Sequence, residues 1–201
     1  MKIHATKQKH KPSNSYKVCI PKMEDEGVEE LVKKAKKNDE DAFNKLILLT
    51  QKEMYLIAKT KLKNEDDIAD AIQETILSCY KNLRKLRKNQ FFKTWLIKIL
   101  MNECNKIYKK RRKQNISYEE KEIENYLITE DLSFEHISFD LLIRNLNDEE
   151  KLILTLYYYV GYSTKEISKL LKLKESTCRS KIARAKLKLR NEYEGGNYGT
   201  D

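Results

Sequence analysis

Chain breakers are scarce. The 201 residues hold five glycines and two prolines, and neither type occurs between Gly27 and Gly161. A stretch that long without breakers argues for helices joined by polar turns and against a β-sandwich. Histidine is equally thin, with only His4, His10 and His136. No Ser-His-Asp pattern, Gly-rich phosphate loop or zinc-ligand cluster is present, so no catalytic residue, metal or cofactor is expected. The four cysteines, Cys19, Cys79, Cys104 and Cys178, have no metal-ligand spacing. They read as buried thiols of a reducing cytoplasm. No apolar signal-peptide core opens the chain and no apolar run approaches membrane-spanning length, so a cytoplasmic protein without direct membrane insertion is expected.

What the chain has in quantity is charge. Lys and Arg number 41 against 31 Asp and Glu, a formal net charge of +10. Its distribution says more than its size. Residues 1–24 carry +5, 25–82 carry −3, 83–114 carry +11, 115–150 carry −9 and 151–201 carry +6. Two basic blocks flank an acidic one, which suggests two contacts with one polyanion.

Apolar periodicity divides the chain further. Residues 1–24 show no helical period and read as a basic mobile tail. Val28, Leu31, Val32 and Ala35 begin a helix. Asn38 is a candidate cap for a second, carrying Ala42, Phe43, Leu46, Ile47, Met54, Ile57, Ala58 and Leu62, and Asn64 for a third, carrying Ile68, Ala69, Ile72, Ile76, Cys79, Tyr80 and Leu83. The basic loop "RKLRKNQ" leads into a fourth helix over 91–113, with Phe92, Trp95, Leu96, Ile99, Leu100, Cys104 and Ile107 on its apolar face. It ends in five consecutive cations, Lys109–Lys113, more than helix capping requires. Residues 25–114 thus form one helical domain, 115–137 an acidic linker, 138–192 a second domain and 193–201 a disordered tail. Leu141, Leu142, Leu146, Leu152, Ile153, Leu156 and Tyr157 are the candidate core of the second domain. Gly161 is placed to end its helix in the left-handed conformation.

The second domain holds the most informative stretch. Ser163 followed by Glu166 is a capping box that opens a short helix bearing Ile167, Leu170 and Leu171. A few residues later, "KESTCRSKIARAKLKLR" contains seven basic side chains and one acidic one. Cys178, Ile182, Ala185 and Leu189 lie on one helical stripe, and most of the cations lie off it. A capped short helix, a tight turn and a longer basic helix make the layout of a helix-turn-helix, whose second helix enters the DNA major groove. In the first domain, Asp67, Asp70 and Glu74 recur at i, i+3, i+7, an acidic stripe suited to a basic partner. Trp95, the only tryptophan, adjoins the basic loop, where an aromatic side chain suits unstacked bases.

With these features in order, the chain resembles a bacterial RNA polymerase sigma factor of the extracytoplasmic-function group in the sigma-70 family. "DDIADAIQETILSCYKNL" resembles the family's polymerase-clamp helix, "FKTWLIKILMNECNKIYKKRRK" its promoter-melting and minus-ten segment, and residues 146–189 its minus-thirty-five-binding domain. The resemblance implies an all-α protein of two small helical domains, without enzymatic activity. It implies core RNA polymerase and promoter DNA as partners, together with an anti-sigma factor, which in this family can be membrane-bound.

It also implies residue roles. Asp67, Asp70, Gln73 and Glu74 would meet the polymerase clamp. Lys88, Asn89, Gln90 and Phe91 would form the loop that captures a flipped minus-ten base, and Trp95 and Asn102 would face the melted strand. Arg179, Ser180, Ala183 and Arg184 would face major-groove bases, with Thr177 and Lys181 at phosphates. The sequence departs from the family pattern at Lys172, where a turn glycine is usual, at Lys174, where a capping serine is usual, and at Cys178, where valine is usual. A non-Gly residue in a left-handed turn costs about 1–2 kcal/mol. The rival readings are a stand-alone helix-turn-helix regulator, for which no dimerisation helix is visible, and a helical adaptor, which needs no pair of basic surfaces.

Overall fold

The computed structural model describes residues 25–113 and 142–195. The expected N-terminal tail, the acidic linker, Leu141, Cys19, all three histidines and the last six residues lie outside them.

Every regular element among the described residues is helical. The first group comprises α1 (Asp25–Ala35), α2 (Glu40–Lys59), α3 (Glu65–Asn82) and α4 (Phe92–Lys113), with single 3-10 turns at Leu83–Lys85 and Asn89–Phe91. The second comprises α5 (Asp148–Leu154), a π-helical turn at Thr155–Tyr159, α6 (Thr164–Leu171) and α7 (Glu175–Gly195).

Local chemistry fixes the helix starts. Asn64 accepts hydrogen bonds from the amides of Asp66 and Asp67, as a cap should. Asn38 does not cap α2. It sits in the left-handed region at φ 69°, and Asp39 takes the cap by accepting from the Ala42 amide at 2.9 Å. The two side chains are near-equivalent caps, and the backbone turn after α1 decides between them. Asn tolerates a positive φ better than most residues, so it occupies the turn. Capping boxes open α5, through Asn147 and Glu150, and α6, through Ser163 and Glu166.

In the first group Leu46, Met54, Ile57, Leu62, Phe92, Leu96, Ile97 and Leu100 are fully buried. Ile97 fills the core and Ile99 is only half-buried, a shift of the α4 apolar face from that expected. Thr50, Thr60 and Thr75 are buried too, and each donates its hydroxyl to a carbonyl of its own helix. That removes the cost of an unsatisfied polar group. In the second group Leu152, Ile153, Leu154, Leu156, Ile167, Cys178, Ile182 and Ala185 are buried. Leu142 is 45% exposed, contrary to its expected core role, and its neighbour Ile143 is buried instead. The short helical end at 142–143 turns Ile143, and not Leu142, toward the core. Gly161 takes φ 78°, ending the π-helical turn as expected.

Candidate nucleic-acid interface

Three surfaces carry the expected site residues. The first is the outer side of α3. Asp70, Gln73 and Glu74 are exposed there, and Leu77 and Tyr80 continue the same side as exposed apolar groups. Asp67 does not belong to it. It is 4% exposed, and the Arg111 guanidinium of α4 donates to its Oδ1 from Nε at 3.1 Å and from Nη2 at 2.7 Å. Asp67 therefore joins α3 to α4 and is unavailable to a partner. The helical repeat places it near the stripe, but a cation 44 residues away claims it.

The second surface is the segment from Leu86 to the end of α4. Lys88, Gln90 and Phe91 are exposed and Asn89 is half-buried. Two 3-10 turns frame this loop, closed by Leu86 N–H to Leu83 O at 3.1 Å and by Phe91 N–H to Lys88 O at 3.2 Å. Lys88 lies over the Phe91 ring, 6.0 Å from its centroid. This pairing leaves a cation and an aromatic face together in solvent, a combination suited to a base and its phosphate. Phe92 turns into the core, and Trp95 packs against it with centroids 6.3 Å apart while remaining half-exposed. Asn102 is exposed one to two turns further along. Beyond it, Lys106, Lys109, Lys110, Arg112 and Lys113 line an open groove at the end of α4. Of the five terminal cations only Arg111 is diverted inward.

The third surface is α7. Its buried stripe of Cys178, Ile182 and Ala185 fixes its rotation and leaves Arg179, Ser180, Ala183 and Arg184 exposed. The turn before it places Lys172 at φ 56° and ψ 39°, left-handed without glycine. The Leu173 amide returns to Ser168 O at 2.9 Å, the closing bond of a Schellman-type end. Thr164 donates to Glu175 at 3.1 Å and so ties the start of α6 to the start of α7. The expected geometry thus forms, with Lys172 bearing the strain that a glycine would avoid.

Not every cation of α7 is available. Lys181 is 2.6 Å from Glu149 and Lys188 is 2.6 Å from Glu150, both acids in the first turn of α5. The Lys188 hydrogen bond, helped by the Asn147 amide and partly opposed by burial, holds the Glu150 carboxyl below its ordinary value. Lys186 lies over the rings of Tyr157 and Tyr158, at 5.7 and 5.0 Å. Lys181 accordingly faces α5, while the outward charge is carried by Arg184 and by Arg179, which lies 3.9 Å from Glu175 one turn back and stays exposed. Thr177 is half-buried. Burial pushes the Cys79 thiol up to about 12 and that of Cys104 to about 11, and it raises Cys178 as well. All three are free thiols shielded from solvent.

These two cationic surfaces coincide with two conserved sequence patterns. The model of sigma-70 region 2 matches residues 46–114, and that of sigma-70 region 4 matches residues 136–189. The chain belongs to the extracytoplasmic-function group of the sigma-70 family. The ECF RNA polymerase sigma-E factor of Haemophilus influenzae is 27% identical over 179 residues, spanning 82% of this chain and 94% of that protein. Among solved structures, CnrH in complex with the cytosolic domain of CnrY has a TM-score of 0.61 at 20% identity, over 84% of this chain and 98% of that one. The sigma factor RpoE of Bartonella quintana, in complex with the anti-sigma factor NepR, has a TM-score of 0.60 at 19% identity, over 76% and 96%. Sigma factors are non-catalytic initiation factors, which accounts for a chain poor in histidine and rich in exposed cations. Among the described residues no group of acidic, histidine and cysteine side chains is arranged to hold a metal ion, and no helix is long and apolar enough to cross a membrane.

Proposed function

We propose that this sigma factor binds core RNA polymerase through the outer side of α3 and directs it to promoters carrying two elements. Asp70, Gln73 and Glu74 supply the polymerase contact. The loop residues Lys88, Asn89, Gln90 and Phe91, with Trp95 and Asn102, receive the melted minus-ten strand. Arg179, Ser180, Ala183 and Arg184 read the minus-thirty-five element in the major groove, and Thr177 meets a phosphate. The observation that carries this reading is the pairing of an exposed aromatic-cationic loop in the region 2 match with an exposed arginine face in the region 4 match. Flipping a base out of the stack costs a few kcal/mol. A loop offering both a π face and cations offsets that cost by stacking and by charge.

A stand-alone helix-turn-helix regulator is disfavoured, because the region 2 match over 46–114 would have no use. The two solved relatives are complexes with CnrY and NepR, which supports a protein of the anti-sigma class as a further partner.

Co-elution of the full chain with core RNA polymerase tests the reading. The wild type is expected to co-elute, and the Asp70→Lys/Glu74→Lys double variant is expected to separate from the polymerase while keeping its helical content. Co-elution unchanged by the two charge reversals would remove α3 from the contact.

A further inference from the structure

Helix α1 precedes the region 2 match, which begins at residue 46, yet its C-terminal end reaches the base-capture loop. Lys36 follows the last residue of α1, and its amide continues the helix by donating to Val32 O at 3.0 Å. Its side chain is half-buried. Its ammonium donates to Leu86 O at 2.6 Å and to Asn89 Oδ1 at 2.5 Å, across 50 and 53 residues of sequence. The two acceptors bracket residues 87 and 88 in the chain, so one cation ties the two ends of this short segment together. Arg84 adds a second tie by donating to Asn38 in the turn after α1.

The chemistry of the Lys36 contact has a directional consequence. An ammonium has donors only, so the amide atom of Asn89 that faces it is the oxygen. With Oδ1 occupied, Nδ2 and its two hydrogens are turned away from Lys36. We propose that Lys36 is a positioning residue that sets the amide orientation of Asn89, so that the loop offers a hydrogen-bond donor to the flipped base. The base selected there would then be one that presents an acceptor, a ring nitrogen or a carbonyl oxygen, to Nδ2. This rests on the reading of residues 88–91 as the capture loop.

The test uses holoenzyme assembled from core RNA polymerase and the full chain. Single-stranded DNA of random sequence is bound, recovered and sequenced. The wild type is expected to enrich a base at one loop-dependent position. Lys36→Met keeps the aliphatic stem and removes the donors. Asn89→Asp keeps an acceptor for Lys36 and removes the donor to DNA. Both are expected to lose roughly three- to tenfold of the enrichment at that single position, the range of one hydrogen bond, with other positions unchanged. Lys36→Arg is expected to restore part of it. Thermal unfolding of Asn89→Asp controls for fold, since its pairing with Lys36 gains charge. Wild-type enrichment left intact by Lys36→Met, or lowered equally at every position, would overturn the positioning role while leaving the promoter reading in place. Absence of any enrichment by the wild type would overturn both.

Discussion

Arg111 grips Asp67 through two donors to one carboxylate oxygen, at 3.1 and 2.7 Å, and this pair fixes the end of α4 against the start of α3. The helix proposed to carry the DNA-facing cations is thereby held to the helix proposed to carry the polymerase contact. Asp67→Ala is expected to destabilise the protein by about 1.5–3 kcal/mol, the range for a hydrogen bond to a charged group, measured by urea unfolding. Asp70→Lys is expected to stay within about 0.5 kcal/mol, because its side chain is exposed. Equal losses in the two variants would show that the acidic positions are not divided between fold and surface.

Lys172 offers a gain instead of a loss. Its φ of 56° suits glycine, and nothing in its side chain is used by the cap, which is made by backbone amides. Lys172→Gly is expected to stabilise the helix-turn-helix by about 1 kcal/mol, less than the full left-handed penalty because glycine loses more entropy on folding. Thermal melting checks this, and a lower melting temperature would mean that the lysine makes a compensating interaction.

Arg179 and Arg184 should differ in kind from Lys181. Arg184→Ala is expected to cost about 1–3 kcal/mol against one base pair of the minus-thirty-five element and little against variants already mismatched there. Lys181→Ala is expected to affect stability more than sequence preference, because Glu149 occupies its ammonium. Binding of holoenzyme to a set of minus-thirty-five variants distinguishes them. A uniform loss for Arg184→Ala would make it a phosphate contact.

The Glu150–Lys188 pair predicts a pH dependence. The Glu150 carboxyl is held below its ordinary value of 4.5 in the folded state. A depressed folded value means that the contribution is complete above the unfolded value and is lost as pH falls through the folded one. Unfolding of the wild type is therefore expected to become easier below about pH 4.5. Glu150→Gln is expected to be less stable than wild type at pH 7, with the gap closing toward pH 3. A gap independent of pH would assign the effect to the capping box alone.

Much of this was legible in the sequence because it depends on local spacing. The Asn64 cap, the Ser163/Glu166 box, the left-handed Gly161 and the buried stripe of α7 each involve residues within a few positions of one another. What was not legible depends on partners distant in the chain. Asp67 reads as surface until Arg111 is brought beside it, and Lys181 reads as a free cation until Glu149 is. The link from Lys36 to Asn89 has no sequence signal at all, since a lysine following a helix is ordinarily solvated. The choice of Asp39 over Asn38 and of Ile143 over Leu142 turns on a one-residue phase that periodicity does not resolve.

One chain is expected to bring polymerase to two spaced DNA elements. In vitro transcription by core RNA polymerase from a randomised promoter library, with and without the full chain, tests it most directly. Transcripts are expected to depend on the chain and to come from templates sharing two motifs at a fixed spacing, one altered by Arg184→Ala and the other by Asn89→Asp. Transcripts unchanged by adding the chain, or templates sharing a single motif insensitive to Asn89, would contradict it.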